Sequence, residues 1–397
     1  MNYTYYLAYK KMFFRLGRAL SNFSKQNTSQ VVQESAEIEY QKVIKVLENK
    51  DNYTPEKAKI IIKNYFLLHS NNLKLGKNIN WASNQVLRNS LEKIFSIIDS
   101  LGPGDIFLLI SNLRILRIKN EEYWEILQEK FIQNISEINA KNIPSYALSF
   151  SHAKIKNAHL WNLIEQKIMS EVYPDYQFVS KGVCQLYKAL GDLRIGSDDL
   201  RKNLEKNAKN LLNELTVEEI IKILIEHSIR KSIDPDFFEL SLKKISDSID
   251  NCDRKIIINA LEISVSLGAQ EKYIKQFEKC VLESINEMKI SDFVLICNCY
   301  GKLDENRRSE ERKEFIAKIE KNYMARRDNL LEKAFYNMVL RQVRIFWGFA
   351  KNNVCSNEKI WKDYLEILAN VNDYDIDLAL KGPVEELKEF GKGRNLI

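Results

Sequence analysis

Four histidines, His69, His152, His159 and His227, are the first residues in this chain of 397 that could do chemistry. None stands in a His-x-x-x-His or HExxH arrangement, the spacings that put two imidazoles on one helical face to hold zinc. His152 and His159 lie seven residues apart, two turns of a helix, but a polar break at Lys156-Asn157 falls between them, so the spacing does not predict a metal site. The six cysteines, Cys184, Cys252, Cys280, Cys297, Cys299 and Cys355, include no Cys-x-x-Cys pair. Cys297-Asn298-Cys299 places two thiols on different faces of a helix, and free cysteines are ordinary core residues in a reducing compartment. Gly102-Pro103-Gly104 invites a phosphate-loop reading, yet no Lys-Ser/Thr follows and no strand precedes it; a turn between helices is expected there. Carboxylates are plentiful, but acid–base work needs two of them to converge in a pocket, and nothing in their spacing demands that. The chain is therefore expected not to be an enzyme and to carry no metal or cofactor.

One cationic set is left. Arg114, Arg117, Lys119, Lys154, Lys156, Arg194, Arg230 and Lys231 all fall at or just before recurring polar breaks. They could line one edge of the molecule and neutralise the phosphates of a single strand or of an RNA helix, with His152 nearby. Equally, cations at helix C-termini are favoured by the helix dipole, at about 0.3–1 kcal/mol each, and need no ligand. The sequence leaves both readings open.

The elements that would position these residues are set by an internal repeat. Arg117-Ile118-Lys119-Asn120 recurs as Lys154-Ile155-Lys156-Asn157, and each copy is followed four residues after the Asn by a tryptophan, Trp124 and Trp161. The aliphatic anchors Ile118, Ile155, Ile195, Ile233, Leu267, Leu303 and Val354 continue the series at intervals of 37, 40, 38, 34, 36 and 51. A period of this size marks a supersecondary unit copied along a solenoid. Within a unit, Phe107, Leu108, Ile110, Leu113 and Leu116 form a first apolar run, a short elbow follows, and Tyr123, Trp124, Ile126, Leu127, Phe131 and Ile135 then show helical spacing. Helix starts are signalled at Thr54-Pro55-Glu56, Asn142-Ile143-Pro144, Ser197-Asp198-Asp199 and Asp234-Pro235-Asp236, and Thr216 to Glu219 reads as a capping box. Six prolines and thirteen glycines are too few for a strand-and-turn protein of this length. The expected fold is all-α, an α-solenoid of antiparallel helix pairs with a period of about 37 residues. Trp124, Trp161, Phe238 and Tyr273 are expected to fill the seams between its helices.

The organisation expected along the chain is a basic segment over 1–33, a capping helix over 34–53, the repeat array over 54–380 and a C-terminal tail over 381–397. The first segment holds Lys10, Lys11, Arg15, Arg18 and Lys25 and no acidic residue, with Leu7, Met12, Phe13, Phe14, Leu16 and Leu20 between the charges. That pattern reads as a mitochondrial targeting segment or a basic arm, and it is too interrupted by charge for a membrane span. No transmembrane segment is expected. The charge balance is 60 − 54 = +6 overall; removing the five cations of the first segment leaves +1, too little for a free nucleic-acid binder whose whole surface is basic.

Tyr146 to Trp161, with its Lys154-Ile155-Lys156-Asn157 elbow, resembles the helical repeats of organellar RNA-associated proteins, the octotricopeptide, heptatricopeptide and FAST-kinase-like families. The resemblance spans roughly 100–330, while 375–397 does not look like the α/β RAP domain that often closes such proteins. It implies a non-catalytic mitochondrial matrix protein that contacts mitochondrial rRNA or mRNA as a component or assembly factor of the mitochondrial ribosome. The alternative is an accessory structural subunit of a respiratory-chain or ATP-synthase complex, holding protein neighbours in a large mitochondrial assembly.

Overall fold

The computed structural model describes residues 37–48, 53–74, 81–173, 178–332, 338–369, 380–394 and 396, so the expected targeting segment at 1–33 lies outside the described residues. Among the described residues the regular structure is helical, with no strand. The prolines enforce this rather than oppose it. Pro55, Pro103, Pro144, Pro235 and Pro383 each sit in the first turn of a helix, where a missing N–H breaks no intrahelical bond.

The chain forms two compact units, the first ending at Asn203 and the second running Leu204–Ile397. In the first, α1 covers 37–47, followed by α2 (Pro55–Lys74), α3 (Gln85–Phe95), α4 (Pro103–Ile115), α5 (Glu121–Asn134), α6 (Ile143–His152), α7 (Ala158–Glu171), α8 (Ser180–Leu193) and the start of α9 (Asp198–Asn210). Helix α2 packs on α4, α4 on α6 and α6 on α8, while α5 packs on α7, so the helices that open each pair form one row and those that close it another. Buried Asn112 ties the first row together, its Nδ2 donating to Ile62 O at 2.7 Å from α4 to α2.

In the second unit, α10 (Val217–Arg230), α12 (Arg254–Leu267), α14 (Ile290–Gly301), α16 (Met338–Lys351) and α18 (Lys381–Gly393) pack successively on one another. Helices α11 (Pro235–Asp247), α13 (Glu271–Glu283) and α15 (Glu310–Glu332) make the other row, and α17 (Glu358–Ala369) packs on α18. The α14–α16 contact brings backbones together. A Cβ at Gly348 would lie inside van der Waals distance of the Cys297 carbonyl, so only glycine fits there.

The side-chain caps predicted from the sequence form at Thr54, Ser197, Thr216 and Asp234, whereas Asn142 precedes α6 without a side-chain cap. Thr216 and Glu219 form the reciprocal capping box, and Asp234 accepts from Phe237 N. Two local expectations fail. Gly102-Pro103-Gly104 is no free turn; Gly102 is the N-cap and Pro103 the first residue of α4. Residues 381–393, expected as a tail, form α18, because Val384 and Leu387 share one helical face and both are buried.

A candidate cationic interface at the helix elbows

Each elbow is built on one residue in the left-handed region: Arg117 (φ 57°), Lys154 (φ 63°), Arg194 (φ 59°) and Lys231 (φ 54°). Their separations are 154 − 117 = 37, 194 − 154 = 40 and 231 − 194 = 37, and Gly268 (φ 74°) follows after another 37. The next N–H reaches back to close the helix end: Ile118 N to Leu113 O (2.9 Å), Ile155 N to Phe150 O (3.0 Å), Ile195 N to Leu190 O (3.0 Å) and Ala269 N to Ser264 O (2.8 Å). This closure normally carries Gly or Asn at the left-handed position, because a β-carbon there costs about 1–2 kcal/mol. Gly268 and Asn353 follow that preference; the four cations depart from it.

The carbonyl after the left-handed residue is held in turn. Ile118 O accepts from Trp124 Nε1 (2.8 Å) and Ile155 O from Trp161 Nε1 (2.9 Å), each six residues on. Arg201, also six residues on, donates its guanidinium to Ile195 O. In the second unit that position is Phe238, which has no donor, and His227 Nδ1 donates to Ser232 O instead (2.7 Å). The third element is the N-cap of the following helix: Asn120 accepts from Tyr123 N, Asn157 from Leu160 N, Ser197 Oγ from Leu200 N and Asp234 from Phe237 N. The two tryptophans are buried in the seams as expected, and they also lock the elbows.

On this fixed backbone Arg117, Lys119, Lys154, Lys156, Arg194, Arg230 and Lys231 are exposed, and Arg114 is half-buried with its Nε lacking a hydrogen-bond partner. None of the eight makes an ion pair among the described residues. In the first unit α2 packs on α4 and α4 on α6. Burial and then the charge of Arg117 push the His69 imidazole below its ordinary range; burial, Arg114, Lys188 and Arg117 do the same to His152, against the opposing pull of Asp192. The charge of Arg117 thus acts on both His69 and His152 and that of Arg114 on His152, and Lys119 shares the elbow of Arg117.

The remaining candidates differ. Lys154 and Lys156 occupy an elbow with no carboxylate between His152 and His159, whereas Arg194 is flanked by Asp192, Asp198 and Asp199. Arg230 and Lys231 belong to the second unit, where nearby acids are already engaged: Lys209 holds Asp234 (3.2 Å) and Asp236 (3.3 Å), and Lys272 holds Glu239 (3.1 Å). Among the histidines, the sequence pattern ties only His152 to the cationic set; that Arg117 acts on His69 has no sequence signal, since nothing before the first repeat copy announces it. Among the described residues no group of three or more His, Cys, Asp or Glu side chains is placed to hold a metal ion. No protein-family model matches this chain, and no curated protein matches it.

Proposed function

We propose that the chain is an α-solenoid of antiparallel helix pairs with a period of about 37 residues, and that it is a non-catalytic RNA-associated protein of the mitochondrial matrix, a component or assembly factor of the mitochondrial ribosome. The observation that carries the reading is the run of four left-handed caps occupied by exposed, unpaired Arg or Lys. Backbone strain retained at successive equivalent positions, where glycine would relieve it, points to selection for what the side chain does. A helix dipole alone does not require a cation at that position, since one in the preceding turn serves it equally. Arg114, Arg117 and Lys119 give the first elbow cationic groups suited to phosphate. The basic, acid-free first segment supports mitochondrial import.

A second reading, an accessory subunit of a respiratory or ATP-synthase complex, draws on α2. Its outer face exposes Ile60 (56%), Phe66 (52%) and Leu67 (45%), apolar surface suited to a protein neighbour. Purifying the tagged protein from its own mitochondria separates the two. Co-sedimentation with rRNA that RNase abolishes supports the first; RNase-resistant recovery with respiratory or ATP-synthase subunits replaces it with the second.

A further inference from the structure

Beside the second elbow a cleft of about 670 Å³ opens between α7, α8 and residues 195–200. Its apolar lining includes Ala158, Met169 and Ile195 over the buried Trp161, Leu186 and Leu190, with exposed Lys156 also at the lining. Along the α7 wall, Asn162 and Gln166 stand one turn apart, both exposed and neither hydrogen-bonded among the described residues. Glu165 between them is engaged, accepting Ser197 N–H at 3.2 Å. An amide offers both a donor and an acceptor, the pair needed to read the edge of a base, and the accessible apolar lining, Ala158, Met169 and Ile195, lies beside it to meet its face. The two left-handed caps Lys154 and Arg194 belong to the elbows on either side. Asp198 and Asp199 would repel phosphate at the Arg194 side, which leaves the Lys154-to-Lys156 side for the strand.

We propose that this cleft takes one unstacked base of a single-stranded RNA whose backbone lies on the Lys154–Lys156 elbow. The inference rests on the RNA reading above and adds a base-binding site to it. The test uses the full chain and two short single-stranded RNA oligonucleotides of one length, one complete and one with its central nucleotides abasic. Asn162→Ala with Gln166→Ala leaves folding intact, since both sites are exposed helix positions where alanine is at least as good a helix former. That variant is expected to bind the complete RNA on the order of tenfold more weakly and the abasic RNA as wild type does, as for loss of one base contact. Lys154→Glu with Lys156→Glu is expected to weaken both. If the lysine variant weakens both RNAs and the amide variant changes neither, the base site is wrong and the RNA reading stands. If wild type binds neither oligonucleotide, the RNA reading fails and the base site with it.

Discussion

Replacing Trp124 tests whether the elbow lock is a structural element rather than an incidental contact. Its indole is buried, and Nε1 supplies a buried hydrogen bond to Ile118 O at 2.8 Å. Trp124→Ala removes both ring and donor and is expected to cost about 3–5 kcal/mol, the range for a large buried aromatic. Trp124→Phe keeps most of the apolar contact but leaves the Ile118 carbonyl without a donor, a loss of about 1–3 kcal/mol. Because the elbow joins α4 to α5, the loss should be read locally, by native-state hydrogen exchange of α4 to α6 amides, alongside urea unfolding followed by far-UV circular dichroism. The equivalent Trp161→Phe acts on a bond that is only partly buried and should fall at the lower end of the same range. A Trp124→Phe protein whose α4 to α6 protection lies within about 0.5 kcal/mol of wild type, the range of an ordinary surface substitution, would refute the lock.

Gly348→Ala should destabilise the second unit by about 1–3 kcal/mol or more, because the added carbon meets the Cys297 carbonyl; an unchanged melting temperature would show that α14 and α16 can part without cost. Glu320 is fully buried and its carboxylate accepts from Ser356 N (2.8 and 3.0 Å) and Trp361 Nε1 (2.9 Å). Glu320→Ala strands those donors, and a loss of about 3–5 kcal/mol is expected in chemical unfolding. Since the folded-state pKa of His69 and His152 lies below the ordinary value of 6.5, the unfolded chain takes up those protons first. Stability should therefore be flat above that pH and fall as pH drops below it, and the fall should be smaller in a His69→Asn, His152→Asn variant.

The helix pairs were legible because their signals are local. Thr216 with Glu219, Asp234 before Pro235, and the Asn residues of the RIKN and KIKN copies act within one turn, and the aliphatic anchors at Ile118, Ile155 and Ile195 fall on the residue that closes the helix end. Further along, the anchor Leu267 misses that residue, which is Ala269, and Ile233 stands two residues after the left-handed Lys231. The left-handed caps were not legible, because Arg and Lys stand where glycine or asparagine would announce them. Nor were the substitute locks, since Arg201 and His227 replace tryptophan with a different donor, His227 from the opposite side of the elbow. The action of the Arg117 charge on His69 and the glycine contact between α14 and α16 link residues tens of positions apart, which only tertiary packing can relate.

The most direct test of the RNA-associated elbow is the salt dependence of single-stranded RNA binding by the full chain and by a variant carrying Arg117→Gln, Lys119→Gln, Lys154→Gln and Lys156→Gln. Each phosphate contact contributes about 0.7 to the slope of log affinity against log salt, so four lost contacts should flatten it by about 3 while the helical circular dichroism stays as in wild type. Equal slopes for the two proteins would contradict the assignment of these cations to RNA.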